Sequence, residues 1–237
     1  MAVRLAPRDA RDRMIVGLDV ASVGEARRLV TALGNDVSFY KIGMQLVFAG
    51  GLALVGELAA AGKRIFLDMK LLDIDNTVSG AIGSIAALGI TFTTVHAYPK
   101  AMRAAVAARP AEGPFLLAVT VLTSMDDGDL RSAGYAHGAA ALVAARAADA
   151  RDAGMNGIVC SPKEIASVRK IIGPDMAIVT PGIRPAGSAA GDQKRAATPT
   201  DAIAAGAVYI VVARPVVAAS DPVAAARAIV AEIERAL

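Results

Sequence analysis

Short apolar runs alternate along the chain with alanine-rich stretches of helical pattern. The runs cover Met14–Leu18, Ser38–Ile42, Arg64–Met69, Thr91–Val95, Phe115–Val121, Gly157–Val159, Met176–Val179 and Val208–Val212, eight in all. The runs are mainly apolar and continuous instead of alternating with polar positions, the pattern of a strand covered on both faces in a parallel sheet. The segments between runs are long enough for crossover helices. Helix punctuation agrees. Ser22 with Glu25 and Ser161 with Glu164 have capping-box spacing, Pro162, Pro199 and Pro222 sit at first helical positions, and Gly34, Gly62, Gly89, Gly154, Gly173 and Gly206 stand where helices should stop. Eight strand–helix units predict an α/β chain folded as a single-domain (β/α)8 TIM barrel over residues 1–237, with 1–13 a short N-terminal lead-in. The rival, an open doubly wound sheet, would carry a glycine fingerprint after its first strand, where this chain has Gly17-Leu18-Asp19.

Composition narrows the function classes. Of 237 residues, 55% are hydrophobic, which raises the question of a membrane span. The most apolar stretch, Ala207–Ala219, contains Arg214 and Pro215 and is too short to cross a bilayer, so no membrane association is expected. The net charge of +3 comes from interspersed acids and bases, with no basic arm for nucleic acid. One cysteine and two histidines cannot form an intramolecular disulfide or a zinc site built from Cys and His alone. Residues 1–13, with four arginines and two aspartates, do not look like a secretory signal, and a reducing cytoplasm is the expected compartment.

In a barrel, chemistry sits where strands end and βα loops begin. Here those positions are polar: Asp19 after strand one, Lys41 at strand two, Asp68 and Lys70 at strand three, His96 at strand four, Thr123 and Ser124 near strand five, and Arg214 after strand eight. Charges in a barrel mouth must pair or cost several kcal/mol in lost solvation, roughly. Asp68 and Lys70 are two apart and so share a strand face, Asp73 follows in the loop, and Lys41 comes from the next strand. The expected arrangement is an alternating array of Lys41, Asp68, Lys70 and Asp73, each carboxylate kept ionised by flanking ammonium groups. A structural ion-pair network is the alternative.

Loop seven reads Thr180-Pro181-Gly182-Ile183-Arg184-Pro185 and continues in small and polar residues to Arg195, with the composition of a lid. Barrels often hold phosphate between loops seven and eight, and Arg184 or Arg214 could clamp a dianion there. His96 reads as a hydrogen-bonded residue of the mouth and not as a base, His137 as exposed, and Cys160 as a small buried hydrophobe. Neither serine nor cysteine has a visible histidine and acid partner, which disfavours nucleophilic hydrolysis.

Leu18-Asp19, Tyr40-Lys41-Ile42-Gly43, the run Phe66–Thr77, Val95-His96-Ala97, Leu122–Met125, Thr180–Pro185 and Ala213–Val216 resemble, in order and spacing, the motifs of bacterial orotidine 5'-phosphate decarboxylases. The resemblance implies a homodimer that converts orotidine 5'-phosphate to uridine 5'-phosphate, the last step of pyrimidine biosynthesis, without metal or organic cofactor. It gives Lys41, Asp68, Lys70 and Asp73 the catalytic roles: Asp68 faces the substrate carboxylate and Lys70 protonates C6. Asp19 and Lys41 would hold ribose hydroxyls, Thr123 and Ser124 the ribose and base, and Gln193, Arg214 and neighbouring backbone, including Ala213, the phosphate. Asp73 and Thr77 would enter the partner's site. Two positions depart from the usual motif, Asp75 in place of proline and Ala213 in place of glycine.

Two other functions fit the same residues. A magnesium-dependent sugar-phosphate decarboxylase or lyase of the same superfamily would use the acids on metal, but typically has an acid where Lys41 stands. A non-catalytic nucleotide-binding barrel would be expected to lose the charged cluster first.

Overall fold

The computed structural model describes residues 6–185 and 197–237. Its eight strands are β1 (Met14–Gly17), β2 (Phe39–Gly43), β3 (Arg64–Leu71), β4 (Phe92–His96), β5 (Phe115–Val119), β6 (Gly157–Val159), β7 (Ala177–Thr180) and β8 (Tyr209–Val212). All pair in parallel in chain order, and β8 pairs back onto β1, so the sheet closes into a barrel. Helices follow the strands around it, as in the helix Val23–Leu33 after β1 and the helix Asp75–Ala86 after β3.

Helix punctuation follows the sequence expectation closely. The Ser22 hydroxyl accepts the Glu25 N–H, and Ser161 with Glu164 closes a reciprocal box. That box opens a 3-10 turn, Pro162–Glu164, and the α-helix starts only at Ile165. Gly34 and Gly173 cap their helices with φ of 48° and 72°, a backbone region that costs L side chains steric energy.

The core has two parts. The larger one lies between the barrel and its helices, with Val16, Leu18, Tyr40, Ile42, Ile65, Leu67 and Val95 among its members. The smaller fills the barrel interior with Ile15, Phe39, Phe66, Phe92, Leu117, Val179, Tyr209 and Val211. Phe92 lies at its centre, with ring centroids 5.1 Å from Phe39, 5.2 Å from Tyr209 and 6.0 Å from Phe66. Such tilted and edge-on contacts contribute about 0.5–1.5 kcal/mol each beyond area burial.

Beneath this layer, at the N-terminal ends of the strands, Arg64 donates to the Asp12 carboxylate at 2.6 Å and stacks over Phe39. Ser38 donates to the same carboxylate. The lead-in is therefore partly structural: the turn Ala10–Arg13, capped by the Asp9 side chain, delivers Asp12 to the barrel floor.

Candidate active site

A cleft of about 410 Å³ opens at the C-terminal ends of the strands. Asp19, Lys41, Asp68, Lys70, Thr123, Arg184, Ala213 and Arg214 line it, and Phe66, Val119, Val159 and Val211 supply apolar lining. Lys41 Nζ lies 2.9 Å from Asp19 Oδ1 and 3.6 Å from Asp68 Oδ2, and Lys70 Nζ lies 2.8 Å from the same Asp68 oxygen. Thr94 donates to the other oxygen, Asp68 Oδ1, at 2.9 Å.

Burial pushes the Asp68 carboxyl up, but Lys41, Lys70 and the Thr94 hydroxyl outweigh it and hold its pKa below the ordinary value. Burial likewise works against the Lys41 ammonium, and Asp68 and Asp19 overcome it, leaving its pKa raised. Lys41 and Asp68 thus each favour the other's charged form.

The array differs from the sequence expectation in one member. Asp73 does not join it within the chain; its exposed carboxylate accepts the Ile74 N–H at 2.6 Å. The alternating cluster is instead Asp19, Lys41, Asp68 and Lys70. The cause is the chain direction after Lys70, which takes Asp73 and Thr77 into a second depression that shares Lys70 with the cleft.

Asp68 and Lys70 do meet, but not by simple alternation. The β3–β4 register runs Leu67↔Thr93 and then jumps to Leu71↔Val95, and Lys70 within that bulge has φ of 50°. Its N–H bonds to Thr94 Oγ1 at 2.9 Å. Thr94 was not among the sequence candidates; the available signal was its spacing of two from His96 on one strand.

Two glycines make room for the cluster. A Cβ on Gly17 would stand 3.0 Å from the Ala213 methyl and 3.2 Å from Asp19 Oδ2, and one on Gly43 would stand 3.1 Å from Lys41 Nζ.

On the β7–β8 side, Arg184 and Arg214 both line the cleft. Burial, and then the proximity of Arg214, lowers the Arg184 pKa. Two like charges lining one cleft give this side a positive potential of the kind that suits an anion. Ala213 has φ of −112° and ψ of −91°, so the position does not use the positive φ that would call for glycine. Asp75 opens the helix Asp75–Ala86 and pairs with Lys100 at 3.6 Å. An acid in the first helical turn suits the dipole just as proline suits that position sterically.

Ser124 is exposed and does not line the cleft, whereas Thr123 does. Gln193 and the lid expected through Arg195 lie outside the described residues. His137 is exposed, and Cys160 is buried. The His96 imidazole makes no hydrogen bond to a described residue, contrary to expectation. Burial, with the charges of Arg146 and Lys70, lowers its pKa and favours the neutral ring.

Among the described residues no three His, Cys, Asp or Glu side chains gather as they would around a metal ion, and no helix is long and apolar enough to cross a membrane.

A closed parallel barrel with a charged cleft at the carboxyl ends of its strands defines a (β/α)8-barrel enzyme site. Comparison with known proteins refines this. Residues 12–229 match the family described as "Orotidine 5'-phosphate decarboxylase / HUMPS family". The orotidine 5'-phosphate decarboxylase of Rhodopseudomonas palustris strain HaA2 is 62% identical over 226 residues, covering 95% of this chain and 96% of that protein. A crystal structure of orotidine 5'-phosphate decarboxylase from Lactobacillus acidophilus, 39% identical, superposes with a TM-score of 0.82 and covers 96% of this chain and 99% of that one. An uncharacterized conserved protein from Geobacillus kaustophilus, 33% identical, has a TM-score of 0.80 and covers 93% of this chain and 99% of its own. The chain belongs to the orotidine 5'-phosphate decarboxylase / HUMPS family.

Proposed function

We propose that the chain is a carboxy-lyase of pyrimidine biosynthesis that decarboxylates orotidine 5'-phosphate to uridine 5'-phosphate. The observation that carries this reading is the cluster Asp19–Lys41–Asp68–Lys70 beside the arginine pair Arg184 and Arg214. A nucleotide phosphate suits the arginines, and Asp19 and Lys41 suit ribose hydroxyls. The substrate carboxylate would then lie near Asp68, with C6 within reach of Lys70.

Breaking the bond from C6 to the carboxylate releases CO2 and leaves an electron pair in the ring plane, where the π system cannot delocalise it. Lys70 places a cation beside that pair and then transfers an Nζ proton to C6, to be replaced from solvent. Asp68 repels the substrate carboxylate until it departs. One charge pair at 4 Å in an effective dielectric near 20 is worth about 4 kcal/mol, roughly a thousandfold in rate. The remainder must come from binding the phosphate and ribose, so truncated substrates should lose turnover as well as affinity.

The reaction is proposed to proceed without metal or organic cofactor. In support, both ammonium groups point at Asp68 Oδ2, the oxygen a divalent cation would need, and their charge opposes such an ion. Thr123 is assigned to the ribose and base, and Gln193 with the Ala213–Arg214 backbone to the phosphate.

A cytoplasmic homodimer is proposed, the whole chain acting as one domain, with Asp73 and Thr77 entering the partner's site. Supporting this, Phe48 and Ile74 are 83% and 72% exposed, and Met44, Leu52 and Leu72 are exposed near them in sequence. An apolar pocket lined by Leu52, Met69 and Leu71 shares Met69 and Leu71 with the depression of Asp73 and Thr77. Apolar surface of this kind marks a docking face.

The test is ultraviolet loss of orotidine 5'-phosphate with purified protein, with and without chelator. Turnover that survives chelation is expected. No turnover would favour a silent nucleotide-binding barrel, and chelator-sensitive turnover a magnesium-dependent relative.

A further inference from the structure

We propose that Thr94 is a positioning residue, whose hydroxyl ties the Lys70 backbone to the Asp68 carboxylate and so sets where the Lys70 ammonium stands. The inference rests on the proposed function for its kinetic arm only.

The bulge in β3 creates the need. Between the pairs Leu67↔Thr93 and Leu71↔Val95, β3 carries more residues than β4 opposes, and Lys70 adopts φ of 50°, the one non-glycine residue with positive φ among the described residues. A lysine holds that conformation only where its surroundings fix it. Its N–H, displaced from the regular ladder, is taken by Thr94 Oγ1 at 2.9 Å.

That bond orients the hydroxyl. With a lone pair engaged by Lys70, the single hydroxyl proton goes to Asp68 Oδ1, also at 2.9 Å. Asp68 then presents Oδ2 to both ammonium groups, Lys70 at 2.8 Å and Lys41 at 3.6 Å. Thr94 is fully buried and does not line the cleft, so it acts through its two partners. The titratable groups around Asp68 are Lys41 from β2, Lys70 on its own strand and the His96 ring at the end of β4, with Asp19 after β1 beyond Lys41. Thr94 is the neutral donor among them. Losing it should raise the Asp68 pKa and loosen the Lys70 backbone together.

The experiment compares Thr94→Val, which keeps the shape and removes the hydroxyl, with Thr94→Ser, which keeps the hydroxyl and removes a methyl. Expected for Thr94→Val is a fall in kcat of about ten- to a hundredfold, with KM within a few fold, and an acid limb of the pH profile moved to higher pH. Thr94→Ser should stay within a few fold of the parent on every measure. Carboxylate NMR of Asp68 in the ligand-free protein should show a higher titration midpoint in Thr94→Val than in the parent or Thr94→Ser. Should Thr94→Val fail to fold, Thr94→Ala replaces it.

Equal losses in the Val and Ser variants would mean a packing role and overturn the proposal, as would an unchanged acid limb and Asp68 midpoint in Thr94→Val. The NMR arm needs no substrate, so a parent protein without decarboxylase activity would remove the functional reading while leaving this inference testable.

Discussion

The Ala213 methyl occupies the space that a side chain on Gly17 would need, 3.0 Å from where its Cβ would stand. Gly17 ends β1 and Ala213 follows β8, and these strands pair to close the barrel. Gly17→Ala should therefore destabilise the fold by about 1–3 kcal/mol, the usual cost of overpacking, and disturb Asp19 and Lys41. Urea unfolding measures it, and Ala213→Gly in the same chain should recover part of the loss. No cost in the single variant, or no recovery in the double, would mean that the two positions do not compete for space.

Lys70→Ala separates binding from chemistry. If Lys70 supplies the cation and the proton, turnover should fall by at least roughly a thousandfold, from the charge pair alone. Affinity for uridine 5'-phosphate should stay within about tenfold, since phosphate and ribose contacts are intact. Ordinary turnover in this variant would rule out Lys70 as proton donor.

Arg214→Ala should lower kcat/KM by about 10- to 150-fold, the equivalent of about 1.5–3 kcal/mol for a hydrogen bond to a charged group. Arg184→Ala tests whether the second guanidinium shares the load. Its Nη1 donates to the Ile183 carbonyl at 2.8 Å, so part of its role is to brace loop seven. If kcat/KM is unchanged in Arg214→Ala, the phosphate is held elsewhere.

Mixing subunits tests the proposed sharing of the site. Inactive Lys70→Ala and Asp73→Ala chains, refolded together, should regain about a quarter of parental activity, because half the dimers of a two-fold assembly would be mixed and each would hold one intact site. Verified mixed dimers without activity would place Asp73 outside its partner's site.

Stability should depend on pH through the central pair. The Asp68 carboxyl sits below its ordinary value of 3.8, so its stabilisation is fully present above that value and is lost as pH falls through the lower native value. Lys41 sits above its ordinary 10.5, so its contribution is complete below that pH and is lost as pH rises through the higher native value. The unfolding free-energy gap between the parent and Asp68→Asn should shrink as pH drops below 3.8. A constant gap would show that Asp68 gains nothing from its ammonium neighbours.

Much of the barrel is legible in the sequence because buried parallel strands write themselves as continuous apolar runs. The run Gly157–Val159 matches β6 residue for residue, and the other runs differ from their strands by one or two residues at one or both ends. Convergence of Lys41, Asp68 and Lys70 was legible from their places on neighbouring strands, whereas the fourth member is Asp19 and not the expected Asp73. Three features were not. The bulge that turns Lys70 depends on a register between β3 and β4 that neither strand states alone. Thr94 looks like an ordinary β-former until its neighbours are placed. The floor made by Asp12 and Arg64 joins residues far apart in the chain, which only the side-by-side pairing of β1, β2 and β3 brings together.

That floor has a consequence for traffic. With Phe39, Phe66, Phe92 and Tyr209 packed above the Asp12–Arg64 pair, the barrel is stoppered from below. Released gas and nucleotide product would then leave by the same mouth through which the substrate entered, the cleft lined by Pro181, Gly182 and Arg184 on one side.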